Sequence, residues 1–187
     1  LVQGKTVEIK VSTPINLTLS GALVEQNLHF FELEPGQWVA LQGIHAMTPP
    51  GFYPLSLTGL LPDGSTFTFS QRIYVADGGY FYDPPLTVDP ATIDPAVTQP
   101  EDEQWKALAA SVTPERYWSG MFVNPSPTPL SAGFPSVFGS RRSYNGGTYD
   151  GFHTGLDMYG GTGIDIYAAA DGVVVFAGPL TVRGNAV

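Results

Sequence analysis

Residues 152–178 read "FHTGLDMYGGTGIDIYAAADGVVVFAG", and this stretch decides the fold class. Two apolar runs flank the dipeptide Asp171-Gly172, and the second run extends from Val173 to Ala177. Asp-Gly between apolar runs is a strong short-range signal for a β-hairpin. We therefore predict a strand, a tight turn at Asp171-Gly172 and a second strand.

The same stretch contains His153 and Asp157, a His-x3-Asp pair. On an extended strand the two residues would lie roughly 13 Å apart at about 3.3 Å per residue. That span is too long for one metal ion, whose bonds to His N and Asp O are each about 2 Å. Gly155 lies midway and makes a bend inexpensive. By spacing alone the pair fits either two metal ligands or an ordinary polar turn.

Composition restricts the possible chemistry. The chain has no cysteine, so a metal could be held only by histidines and carboxylates. The formal net charge is −9 and no basic run occurs, which argues against a nucleic-acid partner. No glutamate follows Glu115, which excludes a His-Glu-x-x-His arrangement in the region of His153.

The N-terminal region, residues 1–77, alternates apolar and polar residues between turn signals. In "TVEIKVS", for example, Val7, Ile9 and Val11 fall on one face. Six or seven such short runs predict an immunoglobulin-like β-sandwich. The two histidines of this region, His29 and His45, have no second ligand type nearby, and we interpret them as packed or solvated side chains.

Residues 78–128 are predicted to be a Pro-rich and helical linker. Repeated Asp-Pro favours extended backbone up to residue 99. A helix is predicted from Pro100, because three acidic residues follow it and suit the positive end of a helix. A second helix start is predicted at Thr113, as N-cap.

Three segments together resemble the lysostaphin/LytM-type zinc endopeptidases of bacterial cell walls. They are "SVFGSRR" at 136–142, the quoted stretch at 152–178, and "RGN" at 183–185. Members of that family show Ser-x-Phe-Gly-x-Arg, then His-x-Gly-x-Asp, then an Ala-Ala-x-Gly-x-Val hairpin. The resemblance implies an antiparallel β-sandwich, the duplicated hybrid motif, beginning at residue 129. It also implies that "WVALQGI" and "PPGFYPLSL" belong to a module found ahead of some such peptidases.

The resemblance assigns roles to individual residues. His153 and Asp157 would be two ligands of a catalytic Zn²⁺, and the substrate would be a peptide of peptidoglycan. The family's third ligand and its catalytic histidines lie further along, so we expect them downstream of Val187. Tyr144 and Tyr159 could line a substrate groove or simply pack. Arg141 and Arg142 could meet substrate carboxylates, or hold a loop through carboxylate pairs.

We therefore expect a mainly β chain with an immunoglobulin-like sandwich, a short helical linker and an incomplete antiparallel β-sandwich peptidase domain at 129–187. The chain would be a C-terminally truncated fragment, inactive alone, of an extracytoplasmic protein of the bacterial envelope or a secreted one. Membrane or envelope anchoring would then come from sequence preceding Leu1.

Three other functions fit parts of the sequence. The first is a non-catalytic relative that activates or positions another cell-wall hydrolase; two intact ligands favour catalysis over it. The second is a module in which the N-terminal sandwich binds wall polymer or protein. The third is a lipoyl or biotinyl carrier domain, which needs a lysine at a hairpin tip. No lysine follows Lys106, so we set the carrier aside.

Overall fold

The computed structural model describes all residues, 1–187, and they divide into two compact units. Unit 1 comprises Leu1–Phe81 and unit 2 comprises Tyr82–Val187. Several antiparallel sheets and one α-helix make up the regular structure, so the predicted mainly β fold class is confirmed. Most of the segment predicted as a linker, residues 82–128, is part of unit 2.

Unit 1 is a sandwich of two sheets built from seven strands. One sheet has the order β1-β5-β4 and the other β3-β2-β6-β7, with every pairing antiparallel. The strands are β1 Thr6–Ser12, β2 Thr18–Leu23, β3 Gln26–Asn27, β4 Phe30–Glu34, β5 Gln37–Gly43, β6 Gly51–Leu60 and β7 Thr66–Val75. The immunoglobulin-like identity of this sandwich stays a prediction.

The core of unit 1 lies between the two sheets because alternate residues of both point inward. The predicted inward set of β1, Val7, Ile9 and Val11, packs partly buried against this core. Each fully buried leucine of such a core stabilises the fold by about 1.5–3 kcal/mol. The buried cluster consists of Leu23, Leu28, Ala40, Ile44, Leu57 and Val75.

Unit 2 contains short elements joined by long irregular segments. They are helix α1 Pro95–Ala109, strands β8 Arg141–Arg142, β9 Gly151–Phe152, β10 Gly178–Leu180 and β11 Gly184–Ala186, and 3₁₀ turns at Pro90–Thr92 and Leu130–Ala132. β8 pairs with β9 and β10 pairs with β11, both antiparallel.

The predicted helix exists but begins five residues earlier than expected. Asp94 is the N-cap, accepting a hydrogen bond from the backbone N–H of Ala96, and Pro95 takes the first helical position. Pro100, predicted as the first turn, therefore lies inside the helix. The predicted helix start at Thr113 is wrong: its hydroxyl donates to the carbonyl of Glu115 and no helix follows.

The predicted hairpin at Asp171-Gly172 is not formed as strands. Residues 172–177 carry no regular structure, and the side chains of Val173, Val174 and Val175 are all exposed. The hairpin in this region is instead β10–β11, which turns at residues 181–183. A long-range contact from α1, described below, holds that turn, and local turn chemistry cannot anticipate such a contact.

The only α-helix, α1, has 15 residues, and no helix in the structure has the length and hydrophobicity to cross a bilayer.

Candidate metal centre

The segment 136–140 forms a cradle for the His-x3-Asp pair. The backbone N–H of His153 donates to the carbonyl of Ser140 (2.8 Å), and the N–H of Gly139 donates to the carbonyl of His153 (2.8 Å). At the other end of the pair, the N–H of Asp157 donates to the carbonyl of Ser136 (2.9 Å). Both candidate ligands are therefore fixed through their backbones to one short segment.

This cradle brings the two predicted ligands together. Nε2 of His153 lies 3.1 Å from Oδ1 of Asp157, and the chain bends at Gly155 between them. The His153 side chain is 18% exposed and that of Asp157 is 53% exposed. The pair is thus open to solvent on the aspartate side, as a site that receives an ion from solution must be.

The other ring nitrogen of His153 faces the protein. Nδ1 lies 3.2 Å from the carbonyl oxygen of Val137 and 3.0 Å from Oγ of Ser136. A carbonyl or carboxylate oxygen can only accept a hydrogen bond, and Val137 presents one to Nδ1 while Asp157 presents one to Nε2. With an ion bound at Nε2, the ring hydrogen would lie on Nδ1, facing Val137, and the Nε2 lone pair would face the ion.

A charged chain continues behind Ser136. Nη2 of Arg142 donates to Oγ of Ser136 at 2.6 Å. Nε of Arg142 lies 3.2 Å from Oδ2 of Asp83, which makes an ion pair although the N–H is not aligned for a hydrogen bond. The Arg142 side chain is mostly buried, and this pairing is the kind of carboxylate contact that the loop-holding interpretation predicts.

Asp83 is itself held in place by its backbone. Its N–H donates to the carbonyl of Arg141 (3.1 Å), and its carbonyl accepts from the hydroxyl of Tyr149 (2.8 Å). The ring of Tyr149 also meets that of Tyr82 edge to face, with centroids 5.0 Å apart. The carboxylate facing Arg142 is therefore on a fixed support.

The separation of Nε2 and Oδ1 fits two ligands of a tetrahedral zinc ion, but a catalytic site needs more than two. Two ligands at about 2.0–2.1 Å from such an ion stand about 3.3 Å apart, close to the observed separation. Three protein ligands are usual at catalytic zinc. No group of three or more His, Asp or Glu side chains able to hold a metal occurs in the structure. The pair therefore provides two candidate ligands of such a site.

The three residues predicted to bind substrate occupy different environments. Arg141 is buried in β8, where it is opposite Phe152, the residue before His153. Tyr144 forms an isolated bridge with Leu86 and is partly exposed, and Tyr159 is half exposed. The substrate roles of all three residues stay predictions.

A second polar cluster closes the β10–β11 hairpin. The carboxylate of Glu101, on α1, accepts hydrogen bonds from the backbone N–H groups of residues 181–183 and from the Arg183 guanidinium. Arg183 also pairs with Asp102 at 2.7 Å and lies over the ring of Trp105, 5.4 Å from its centroid. Glu101 is only 7% exposed, so α1 clamps the hairpin turn with a buried charge.

The contacts between Glu101 and the β10–β11 turn shift the pKa values of Glu101 and Arg183. Burial acts to raise the pKa of the Glu101 carboxyl, but the N–H donors of residues 181–183 and the Arg183 guanidinium outweigh it and hold that pKa below its ordinary value. The hydrogen bond to Asp102 raises the pKa of Arg183.

The structure gives several residues roles that the sequence did not assign to them. Ser136 and Arg142 lie within "SVFGSRR", so the motif itself was a signal for them. Asp83 and Glu101 fall in the segment predicted as a linker, and no local pattern predicts the contacts that they make. Their roles depend on contacts with residues far along the chain.

Comparison with known proteins gives a likeness to a solved structure. No protein-family model and no curated protein matches the chain. The structure is similar to a crystal structure described as a "putative peptidase M23" from Pseudomonas aeruginosa, with a TM-score of 0.62 and 20% identity. The likeness covers 98% of this chain and 66% of that one, so the present chain spans just under two thirds of its neighbour's length.

At this level of identity the likeness concerns the fold, which is M23/LytM-like as the sequence motifs led us to expect.

Proposed function

We propose that this chain provides part of the zinc centre of an endopeptidase that hydrolyses peptide bonds of bacterial peptidoglycan. The observation that carries the proposal is the His153–Asp157 contact, with Nε2 and Oδ1 3.1 Å apart and the opposite ring nitrogen anchored to the protein. A metal-ligating histidine usually donates its second N–H to a carbonyl or carboxylate in this way. The M23-like fold and the order of the sequence motifs support the same function.

The residues present would act as follows. His153 and Asp157 would hold the ion on the solvent side of the cradle, and the carbonyl of Val137 would keep the proton on Nδ1. When bound, zinc supplies Lewis-acid polarisation of the scissile carbonyl and a water acidified toward a pKa of about 7. Proton transfer at the reacting peptide needs a further base, which in the resembling family is histidine.

The 187 residues contain no histidine after His153. The third ligand and the base of the family's downstream His-x-His are therefore not among them. On this proposal the chain by itself binds zinc weakly and does not cleave peptidoglycan. The protein would work outside the cytoplasm, in the cell envelope or secreted.

The second candidate is a non-catalytic relative that positions or activates another wall hydrolase. What favours it is the absence of a three-ligand group in the structure. What counts against it is that both visible ligands are intact and brought into contact.

Zinc binding by the 187-residue protein tests the ligand assignment. Competition against a chromophoric zinc chelator should show binding by the wild type that His153→Ala and Asp157→Ala abolish. His29→Ala is the matched control, since His29 is an exposed histidine in unit 1, and it should leave binding unchanged. Equal zinc affinity in the wild type and His153→Ala would overturn the assignment.

The reading frame that encodes the chain tests the choice between enzyme and non-catalytic relative. A His-x-His further along the frame is expected for the peptidase, and its double alanine variant should release no peptide from purified peptidoglycan. An intact frame without that motif would sink the peptidase proposal and leave the non-catalytic relative.

A further inference from the structure

Ser136 touches both candidate ligands through two different groups. Its hydroxyl oxygen lies 3.0 Å from Nδ1 of His153, and its backbone carbonyl accepts from the N–H of Asp157 at 2.9 Å. One residue therefore fixes the ring of the first ligand and the backbone of the second. Displacement of Ser136 would change the separation of Nε2 and Oδ1 directly.

Arg142 restrains the position of the Ser136 hydroxyl group. Its Nη2 donates to Oγ at 2.6 Å, which is short for a hydrogen bond from nitrogen and typical of a charged donor. The guanidinium group cannot rotate away freely, because its Nε is paired with Asp83 and the side chain is mostly buried. A lysine ammonium lacks the planar, spread donors with which the guanidinium faces Ser136 and Asp83 in two different directions.

From these contacts the geometry points to a positioning network, Asp83–Arg142–Ser136–His153. Its function is to hold the imidazole of His153 with Nδ1 toward the protein and Nε2 toward Asp157, so that both ligands are aligned before an ion arrives. The inference deepens the proposed zinc site and rests on it. None of the three supporting residues is placed in contact with the ion or the substrate, so they are positioning residues.

Other metal sites indicate how much zinc affinity should change when this network is broken. Loss of a hydrogen bond that orients a ligating histidine typically lowers metal affinity by 10- to 100-fold. Ser136→Ala should therefore weaken zinc binding by about 10- to 100-fold, and Arg142→Lys should have a smaller effect of the same sign. Ser136→Thr keeps a hydroxyl on the same carbon and should restore binding close to that of the wild type.

Zinc affinity of the 187-residue protein, measured by chelator competition, gives the first readout. Ser131→Ala is the control for the serine variant, because Ser131 is exposed in the 3₁₀ turn at 130–132. Arg116→Ala is the control for the arginine variant, because Arg116 is an exposed residue stacked over Trp118. Both controls should bind zinc as the wild type does.

The second readout needs no metal. Long-range ¹H–¹⁵N spectra report which imidazole nitrogen carries the proton, and the His153 signal is identified by its loss in His153→Ala. In the wild type the nitrogen shifts of His153 should report its contacts at both ring nitrogens, and Ser136→Ala, which removes the Oγ contact of Nδ1, should change the Nδ1 signal. Ser136→Thr should give the spectrum of the wild type, which separates a lost hydroxyl from a general loss of structure.

The two readouts distinguish failure of this inference from failure of the proposed function. If His153→Ala leaves zinc affinity unchanged, the zinc site is wrong, while a His153 ring spectrum that depends on Ser136 still supports the network. If Ser136→Ala changes neither the His153 ring spectrum nor the zinc affinity, the network is overturned whether or not zinc binds. A Ser136→Thr variant as weak as Ser136→Ala would also overturn it, because the hydroxyl would then not matter.

Discussion

Alanine at Gly21 should destabilise unit 1, because the strand pairing leaves no room for a Cβ atom there. Gly21 lies in β2 opposite Leu57 of β6. A Cβ would stand 2.5 Å from the carbonyl oxygen of Ser56 and 2.8 Å from Cδ2 of Leu57. The first of these atoms belongs to the backbone, so the clash can be relieved only by moving one strand of the β2–β6 ladder.

The expected change in free energy combines two opposing effects. Forcing extra atoms into a packed core costs about 1–3 kcal/mol. Replacing glycine by alanine also restricts the unfolded chain, which stabilises the fold by about 0.4–1 kcal/mol. We expect a net loss of about 1–2 kcal/mol. For a unit of this size that corresponds to a fall in Tm of roughly 4–16 °C.

Gly43 provides a matched control in the same unit. It ends β5, and a Cβ atom there would meet nothing within 4 Å. Only the effect on the unfolded chain remains, so Gly43→Ala should stabilise unit 1 by about 0.4–1 kcal/mol. The same chemical change thus has opposite signs at two strand positions.

Tryptophan fluorescence can follow unit 1 alone. The protein has three tryptophans, and Trp38 in β5 is the one in unit 1. Both alanine variants are therefore made in a background with Trp105→Phe and Trp118→Phe, and unfolded in urea or by heating. Equal shifts for the two variants, or a Gly21→Ala protein more stable than its background, would refute the packing reasoning.

Three further outcomes are expected. Leu23→Ala, at a fully buried core position, should cost about 2–5 kcal/mol in urea unfolding, whereas Leu41→Ala, at an exposed position, should stay within about 0.5 kcal/mol. Because the pKa of Glu101 is lowered in the folded protein, its ionised carboxyl stabilises the fold at pH values above its ordinary pKa of 4.5. That stabilisation is lost as the pH falls through the lower folded-state pKa. The Tm advantage of the wild type over Glu101→Gln should therefore shrink below about pH 4.5, and a constant difference down to pH 2 would contradict the clamp. Tyr149→Phe removes the hydrogen bond to the carbonyl of Asp83 and should cost about 0.5–1.5 kcal/mol in the unfolding of unit 2; no measurable change would count against that support.

The strands of unit 1 could be predicted because their signal is local. In β1 the alternation of Val7, Ile9 and Val11 with polar residues matches the pleat, and those side chains do pack on the core. The period of two residues is a property of the strand itself. It needs no knowledge of which other strand lies opposite.

The elements of unit 2 were harder to predict because their ends depend on distant residues. Asp94-Pro95 was interpreted as part of an extended linker, although Asp before Pro is also a helix N-cap signal, and the structure uses it so. Asp171-Gly172 has the stronger local hairpin signal, yet the hairpin forms at 178–186, where Glu101 satisfies three N–H groups of the turn.

The sequence predicts a bend between His153 and Asp157, but the structure forms that bend for a different reason. The spacing problem, roughly 13 Å along an extended strand, was expected to be solved by glycine at position 155. The chain does bend there, but the φ angle of Gly155 is not in the left-handed region, and a Cβ would lie at an ordinary 3.8 Å from Nε2 of His153. Glycine is therefore not what holds the two ligands together. Backbone hydrogen bonds from the 136–140 segment fix each end of the bend, and the side chains of Ser136 and Arg142 add the orientation of the ring. The segment 136–142 and the His153–Asp157 pair, although separate in sequence, therefore act as one structural unit. A substitution in the segment 136–142 should alter the distance between His153 and Asp157 without changing either of these residues.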